Sequence, residues 1–473
     1  MLDRGLFLKR AAAAGIGLSQ AGRALDAAAG YVKPGPRVHA YETRPDLRPP
    51  IVSVLRNEPG TAPGLLFITP VSGPGGRGPL IVDNTGDIVY FHTTRPVVAT
   101  NFRVAIYQKQ PVLTWWEGRS QTGLGVGGHV IVDQNYKVVK RFQAGHKHPS
   151  DLHEFLLTDR GTALVTAWEM KEVTGGRVVN GIAQELDLAT GRVLFEWKSL
   201  DHVPLEESHT GFDPNGRWDY FHINSIERLI DGHYLISARN TWAIYKIDGE
   251  TGAVIWRLGG KKSDFTMGPG TRFAWQHDAR LHPGNLLSLF DDGGDPRVQP
   301  QSKGMVLHLD VKRMHATLHR SYVHHPPMRA HALGSTQVLP NGNVLVGWGT
   351  APYFTEYTDG GRVVFDARLP EGGQSYRVLR FPWTGKPNLP PAAKARRHAA
   401  GHLLHVSWNG ATEVKQWQLE LGQAVGEFEV ERAVPRTHFE TKIQVPAGVK
   451  YARATALDGS GAPLGRTKAV RLE

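Results

Sequence analysis

Three histidines stand at comparable places in this chain: His153 in "DLHE" (151–154), His222 in "HIN" (222–224) and His277 in "QHD" (276–278). A neutral imidazole, with a reference pKa of about 6.5, can serve as nucleophile or general base near neutrality. Asn224 follows His222 by two residues, so on a strand the two side chains share one face. Arg239 ends the segment "LISARN", and a guanidinium offers planar, bidentate recognition of an oxyanion such as sulfate or phosphate. A pocket holding these groups would suit transfer of an anionic group, with Arg239 and Asn224 on the equatorial oxygens. Glu154 and Asp278 each follow a histidine directly. Alternation sends them to the opposite strand face, to orient a neighbouring imidazole or to bond a loop, and with Asn224 and Arg239 they are expected to be substrate-binding residues.

Any one of these residues has an ordinary explanation. A single histidine at a strand entry caps a turn or packs, and a single arginine pairs with a surface carboxylate. What sets them apart is the repeat they sit in. A hairpin with an acidic or polar turn recurs six times: "LIVDNTGDIVYFH" (80–92), "VIVDQNYKVVKRF" (130–142), "QELDLATGRVLFEW" (184–197), "IYKIDGETGAVIWRL" (244–258), "VLHLDVKRMHATLHR" (306–320) and "TEYTDGGRVVFDARL" (355–369). In the fuller copies Asp opens the turn and Thr-Gly closes it. Asp can bond its own backbone, and Gly supplies the positive φ the turn needs.

A second hairpin type precedes most copies: "HEFLLTDRGTALVTA", "SIERLIDGHYLISAR", "DARLHPGNLLSLF" and "TQVLPNGNVLVGW". Two hairpins make a four-stranded unit, and six such units predict an all-β, six-bladed β-propeller over residues 36–385. Aligning the second hairpins on Gly161, Gly232, Gly284 and Gly342 superposes His153, Asn224, His277 and Ser335 at the starts of their first strands. In a propeller those strands line the central channel, so polar residues from separate blades converge at one channel end, where ligands bind.

The repeat stops after "FPWTGKPNLPPAAKARRHAAG" (381–401). Residues 386–401 are expected to be a linker, and 402–473 a small C-terminal β-sandwich of fibronectin type III kind. At the other end, "DRGLFLKRAAAAGIGLSQAGRALDAAAG" (3–30) has a basic start, a mildly apolar stretch and small residues at Ala27 and Ala29. This predicts an export signal over 1–29, twin-arginine-like with Gly5 in place of the second Arg, and so an exported protein.

A formal net charge of +11 favours anions generally, but the chain carries no nucleic-acid motif. No segment approaches the roughly 20 apolar residues of a membrane span. Cysteine is absent, which excludes disulfides, thiol catalysis and Cys-bound zinc.

The motif series "PVLTWWEG", "DLHE", "HINSIERL", "YLISARNT", "IWRLGGKKSDF", "FAWQHDARL" and "GSTQVLPNGNVLVGWG", with "HVSWNGATEVKQW" in the tail, resembles the arylsulfotransferase family in order and spacing. The resemblance implies an exported six-bladed propeller enzyme that moves a sulfuryl group from a phenolic sulfate ester to an acceptor phenol. It implies a ping-pong route through a sulfated histidine, with no nucleotide sulfate donor and no cofactor. By motif, His277 resembles the nucleophile, His222 and Asn224 the transition-state and acid–base group, Arg239 the sulfate-binding arginine and His153 the first channel histidine. The expected partners are a small aryl sulfate and a phenol. Two other readings use the same residues: a metal-dependent propeller lyase or hydrolase holding an ion on the three histidines, and a non-catalytic exported binding propeller.

Overall fold

Local chemistry sets the turns. At Asp83 the side chain accepts from the backbone N–H of Thr85 at 2.8 Å and of Asp87 at 3.1 Å, and Gly86 turns the chain back at φ +83°. Asp187 and Asp248 repeat the device, accepting from Thr190 N–H at 2.7 Å and Thr251 N–H at 2.8 Å ahead of Gly191 and Gly252, both at positive φ. The second hairpin type turns on Gly161, Gly232, Gly284 and Gly342, all likewise at positive φ.

These hairpins assemble into antiparallel four-stranded units in an all-β chain, whose computed structural model describes residues 37–212 and 216–472. The expected export signal at 1–29 lies outside the described residues. Four units run in chain order from a first strand: Val98–Tyr107, Ser150–Leu157, Ile223–Arg228 and His277–His282. A fifth begins at Ser335–Val338 and gains Ser53–Asn57, from near the start of the repeat region, on its far edge. The sixth takes its first strand, Gln374–Phe381, from the end of that region and pairs it with Leu65–Ser72. All six sequence copies of the acidic-turn hairpin are the third and fourth strands of their units. One bridge, Gly127 to Ser150, joins two units into a nine-stranded sheet.

Neighbouring units share apolar cores. Phe67 and Ile81 pack with Leu113 and Val130, and Val112 and Ile131 with Phe155 and Val165. Leu164 and Val178 pack with Ile236 and Tyr245, and Ile244 and Leu258 with Leu287 and Met305. Phe290 and Val306 pack with Val344 and Val346, and Leu345 and Phe365 with Leu66 and Leu80 of the unit where the series began. Fully burying each such side chain stabilises by about 1.5–3 kcal/mol, so six shared cores hold the first strands in a fixed mutual arrangement. Those first strands touch in order, and Gln374–Phe381 touches both Ser335–Val338 and Val98–Tyr107.

The stretch 386–401, expected to be a linker, is corrected in part. Ala392–His398 is a strand that pairs residue for residue with Gly401–Ser407. Its alternating Ala, Lys and Arg supply an apolar face, with Ala393 and Ala395 on the core, and a basic outer face. A three-stranded and a five-stranded sheet then share a core built on Leu404, Val406, Trp417, Leu419 and Ile443. This region is tied to the repeat units within one compact unit, Val38–Glu473: the Tyr136 hydroxyl donates to Gly410 O at 2.7 Å and Asn409 bonds Phe91 through both its amide atoms. Among the described residues no helix is long and apolar enough to cross a membrane.

Candidate active site

All three singled-out histidines sit where first strands lose regular register. The pairing shifts between Ile223 and Ser225, between His277 and Arg280, and between Val165 and Ala167 opposite the His153 strand. Bulges re-aim side chains, and here they bring imidazoles and carboxylates together. His222 at φ +57° and Asp278 at φ +56° occupy the left-handed region that non-glycine residues seldom adopt.

Each imidazole is bound through Nδ1 to a carboxylate. His153 pairs with Asp151, two residues earlier on the same strand. His222 pairs with Asp219 at 2.6 Å, and Asp219 also accepts the His222 backbone N–H at 3.0 Å. His277 pairs with Asp292 at 2.7 Å and lies 3.1 Å from Trp275 O. A backbone carbonyl only accepts, so the His277 proton sits on Nδ1 and Nε2 keeps its lone pair. The His153 and His222 rings meet edge to face, 4.6 Å apart.

Burial first, then the charge of Arg239 and the neighbouring rings of His222 and His153, push the pKa of His277 well below the ordinary histidine value. Burial also lowers that of His222, against the upward pull of Asp219. Both imidazoles are therefore neutral at neutral pH. Of the three side chains, His222 is the most open at 12 % exposure, against 3 % for His153 and 1 % for His277.

Arg239 follows the strand Tyr234–Ala238 and lies 4.6 Å over the ring of Trp275. Its guanidinium donates to Asn240 Oδ1 at 2.9 Å and to the carbonyls of Asp295 and His331 at 3.3 and 3.2 Å. Nε–H and one Nη1–H remain without a protein acceptor among the described residues; they lie on different edges of the guanidinium, so each offers a single donor. Asn224 is fully buried and donates to Gln276 O at 2.7 Å, which ties the His222 strand to the residue before His277. Ser335, aligned with these residues by sequence, bonds Val378 O on the neighbouring strand.

Glu154 and Asp278 do not face the imidazoles, which corrects their expected part in substrate binding. Both are buried among arginines. Arg377 donates to Glu154 at 2.8 Å and lies 3.3 Å from Asp278, while Arg280 donates to Asp278 at 2.7 Å and also to Glu154. Burial works against their ionisation, but Arg280 and Arg377 outweigh it and hold both carboxyls below their ordinary values. These ion pairs form a buried floor. Arg377 also donates to the carbonyls of Asn224 at 3.1 Å and His153 at 3.3 Å, and the Tyr376 hydroxyl donates to His153 O at 2.9 Å.

Sequence reasoning missed Asp151, Asp219 and Asp292, Tyr376 and Arg377. The aspartates stand in "DLHE", "DYFHIN" and "FDDGG": an acid two or three residues before the histidine was the available signal for Asp151 and Asp219, whereas Asp292 lies fifteen residues after His277 and has no local signal. Tyr376 and Arg377 lie in "SYRVLRF", a strand with no turn-Gly hairpin of its own to align. For the metal-site reading, no choice of one nitrogen from each of His153, His222 and His277 puts all three within 4.8 Å of one another.

A family model described as arylsulfotransferase (ASST) matches residues 103–369. No curated protein matches the chain significantly. Among solved structures, it is similar to a protein of unknown function from Bacteroides caccae, at 14 % identity and a TM-score of 0.43, over 67 % of this chain and 98 % of that one. It is also similar to virginiamycin B lyase from Staphylococcus aureus, at 10 % identity and a TM-score of 0.34, over 75 % and 94 % of the two chains. A Lactobacillus plantarum protein is similar at 11 % identity and a TM-score of 0.37, over 80 % and 99 %. The family match spans more than half of the sequence and takes in His153, His222, Arg239 and His277: the chain belongs to the arylsulfotransferase (ASST) family.

Proposed function

We propose that this protein is a sulfotransferase that moves a sulfuryl group from a phenolic sulfate ester to an acceptor phenol through a sulfated His277. The observation that carries the reading is the state of His277: Nδ1 held by Asp292 and Trp275 O, and an Nε2 lone pair on a neutral ring in the field of Arg239. In the first half-reaction Nε2 attacks sulfur, the sulfur–oxygen bond to the phenol breaks, and the phenolate leaves. The sulfated ring is cationic and keeps its Nδ1–H toward the carboxylate of Asp292. In the second half-reaction an acceptor phenol gives its proton to His222 as its oxygen attacks sulfur. The nitrogen–sulfur bond then breaks and His277 is restored. Asp219 stabilises the His222 imidazolium, which returns its proton to the next leaving phenolate. Arg239 supplies donors to the sulfuryl oxygens, and Asn224 holds the His222 and His277 strands together.

The architecture belongs to the same proposal. Six units with first strands in cyclic contact support a six-bladed propeller over 36–385, and two sheets on one core support a C-terminal β-sandwich over 402–473. With a signal over 1–29, the enzyme would act outside the cytoplasm.

The test is release of a coloured phenol from an aryl sulfate, with and without a second phenol, for wild type and His277→Ala. Acceptor-dependent release that the substitution abolishes, with sulfated His277 trapped on rapid alkaline denaturing quench, supports the reading. Release that persists in His277→Ala overturns it.

A further inference from the structure

Away from the channel, one side chain organises a second cluster. Gln184, fully buried in the strand Gly176–Asp187, accepts from Gly145 N–H at 2.7 Å through Oε1. Through Nε2 it donates to Glu196 Oε2 at 2.6 Å. It therefore fixes, at once, the loop before the His153 strand and a carboxylate on the outer strand Val193–Lys198. Gly145 fits only because it lacks a side chain, since a Cβ there would lie 2.1 Å from Val193 Cγ2. The chain then passes through left-handed conformations at His146 and Lys147, φ +56° and +62°. This turn aims His146 and His148 at the same carboxylate oxygen: His146 Nδ1 lies 2.8 Å and His148 Nε2 3.6 Å from Glu196 Oε2.

We propose that His146, His148 and Glu196 form a binding site for a divalent transition-metal ion of the zinc type, separate from the channel histidines. Among the described residues they are a set whose ligand atoms all lie within 4.8 Å of one another. Two imidazoles and one carboxylate are borderline donors that suit zinc, with a fourth position for water. Metal–ligand bonds of about 2.0–2.1 Å in a tetrahedron place donor atoms about 3.3 Å apart, and the two observed separations bracket that value. The carboxylate is already divided for the task. Oε2 faces the imidazoles and Gln184, whereas Oε1 lies 3.6 Å from Lys198 Nζ. Lys198 has an alternative partner, Glu169 at 3.4 Å, so an arriving cation need not leave the lysine unpaired. Gln184 holds the ligating oxygen in the way that outer partners of metal ligands do. Such an ion would clamp the loop that leads into the His153 strand to the outer edge of the same unit.

The experiment is calorimetric titration of the untagged full-length protein with Zn²⁺, repeated with Co²⁺ and visible absorption to read coordination. One equivalent is expected, with a tetrahedral-type Co²⁺ spectrum and a thermal midpoint raised by Zn²⁺. His146→Ala and Glu196→Gln should each weaken binding at least tenfold and remove the thermal shift. The exposed His146 makes the first variant safe for folding, and unchanged unfolding without metal verifies it. His277→Ala should bind as wild type. Absence of a saturable equivalent in the wild type overturns the proposal. So does binding that survives His146→Ala together with His148→Ala, or that is lost in His277→Ala.

Discussion

The Nδ1 of His277 lies 2.7 Å from the carboxylate of Asp292, fifteen residues on, across the bulged hairpin that both residues flank. The pairing fixes which nitrogen carries the proton. Burial pushes the pKa of Asp292 well above the ordinary carboxyl value, and a cation formed on His277 by a bond from Nε2 would favour its ionised form. Replacing Asp292 by Asn keeps the volume and removes that control. For Asp292→Asn, kcat should fall by about 10²–10⁴, the range by which a positioned acid–base partner contributes, with a much smaller change in KM. Steady-state kinetics on an aryl sulfate decide this.

Protonation of His277 would abolish its lone pair, and burial with Arg239 lowers its pKa well below 6.5. The rate should therefore hold constant as pH falls through the ordinary histidine range and drop only at lower pH. A kcat/KM profile that bends near pH 6.5 would show that another group limits the acid side.

Arg239 lays its plane on Trp275 and anchors Nη2 on the Asp295 and His331 carbonyls, which leaves Nε–H as a separate donor. Lys has no such plane and a single nitrogen. Arg239→Lys should lose about 10² in kcat/KM for aryl sulfate, while unfolding in urea stays close to wild type.

Arg377 is buried with Glu154 and Asp278 around it. Arg377→Met leaves two carboxylates short of a cation, at a cost of about 3–5 kcal/mol. Tyr376→Phe removes a neutral hydroxyl that holds the His153 and Asn224 carbonyls, and should cost about 1 kcal/mol. Urea midpoints for the two variants should rank in that order.

His129 is buried between Phe142 and Phe155, with neither ring nitrogen hydrogen-bonded among the described residues, and burial lowers its pKa to about 3. The unfolded chain takes up this proton near pH 6.5 and the native state does not. The corresponding stability is thus full above about pH 6.5 and declines as pH falls toward 3. His129→Leu removes both the unpaired nitrogens and this linkage. It should stabilise by about 1 kcal/mol at pH 7 and by more at pH 5, in paired urea titrations.

The hairpins could be read from the sequence because their causes are local: an aspartate bonds the backbone two to four residues ahead, and a glycine takes positive φ beside it. The same regularity allowed His153, Asn224 and His277 to be aligned by counting back from their turns. It stopped being useful where register broke. The bulges at Ile223–Ser225 and His277–Arg280 decide which carboxylate meets which imidazole, so Asp151 and Asp292 orient the rings while the adjacent Glu154 and Asp278 turn into the arginine floor. Arg377 reaches Glu154 across 223 positions of chain, because the last strand of the repeat region closes beside Leu65–Ser72 near its beginning. Residue types and turn chemistry were written in the sequence. The pairings that give those residues a chemistry depend on bulged register and on contacts distant in the chain, and only the folded structure decides those.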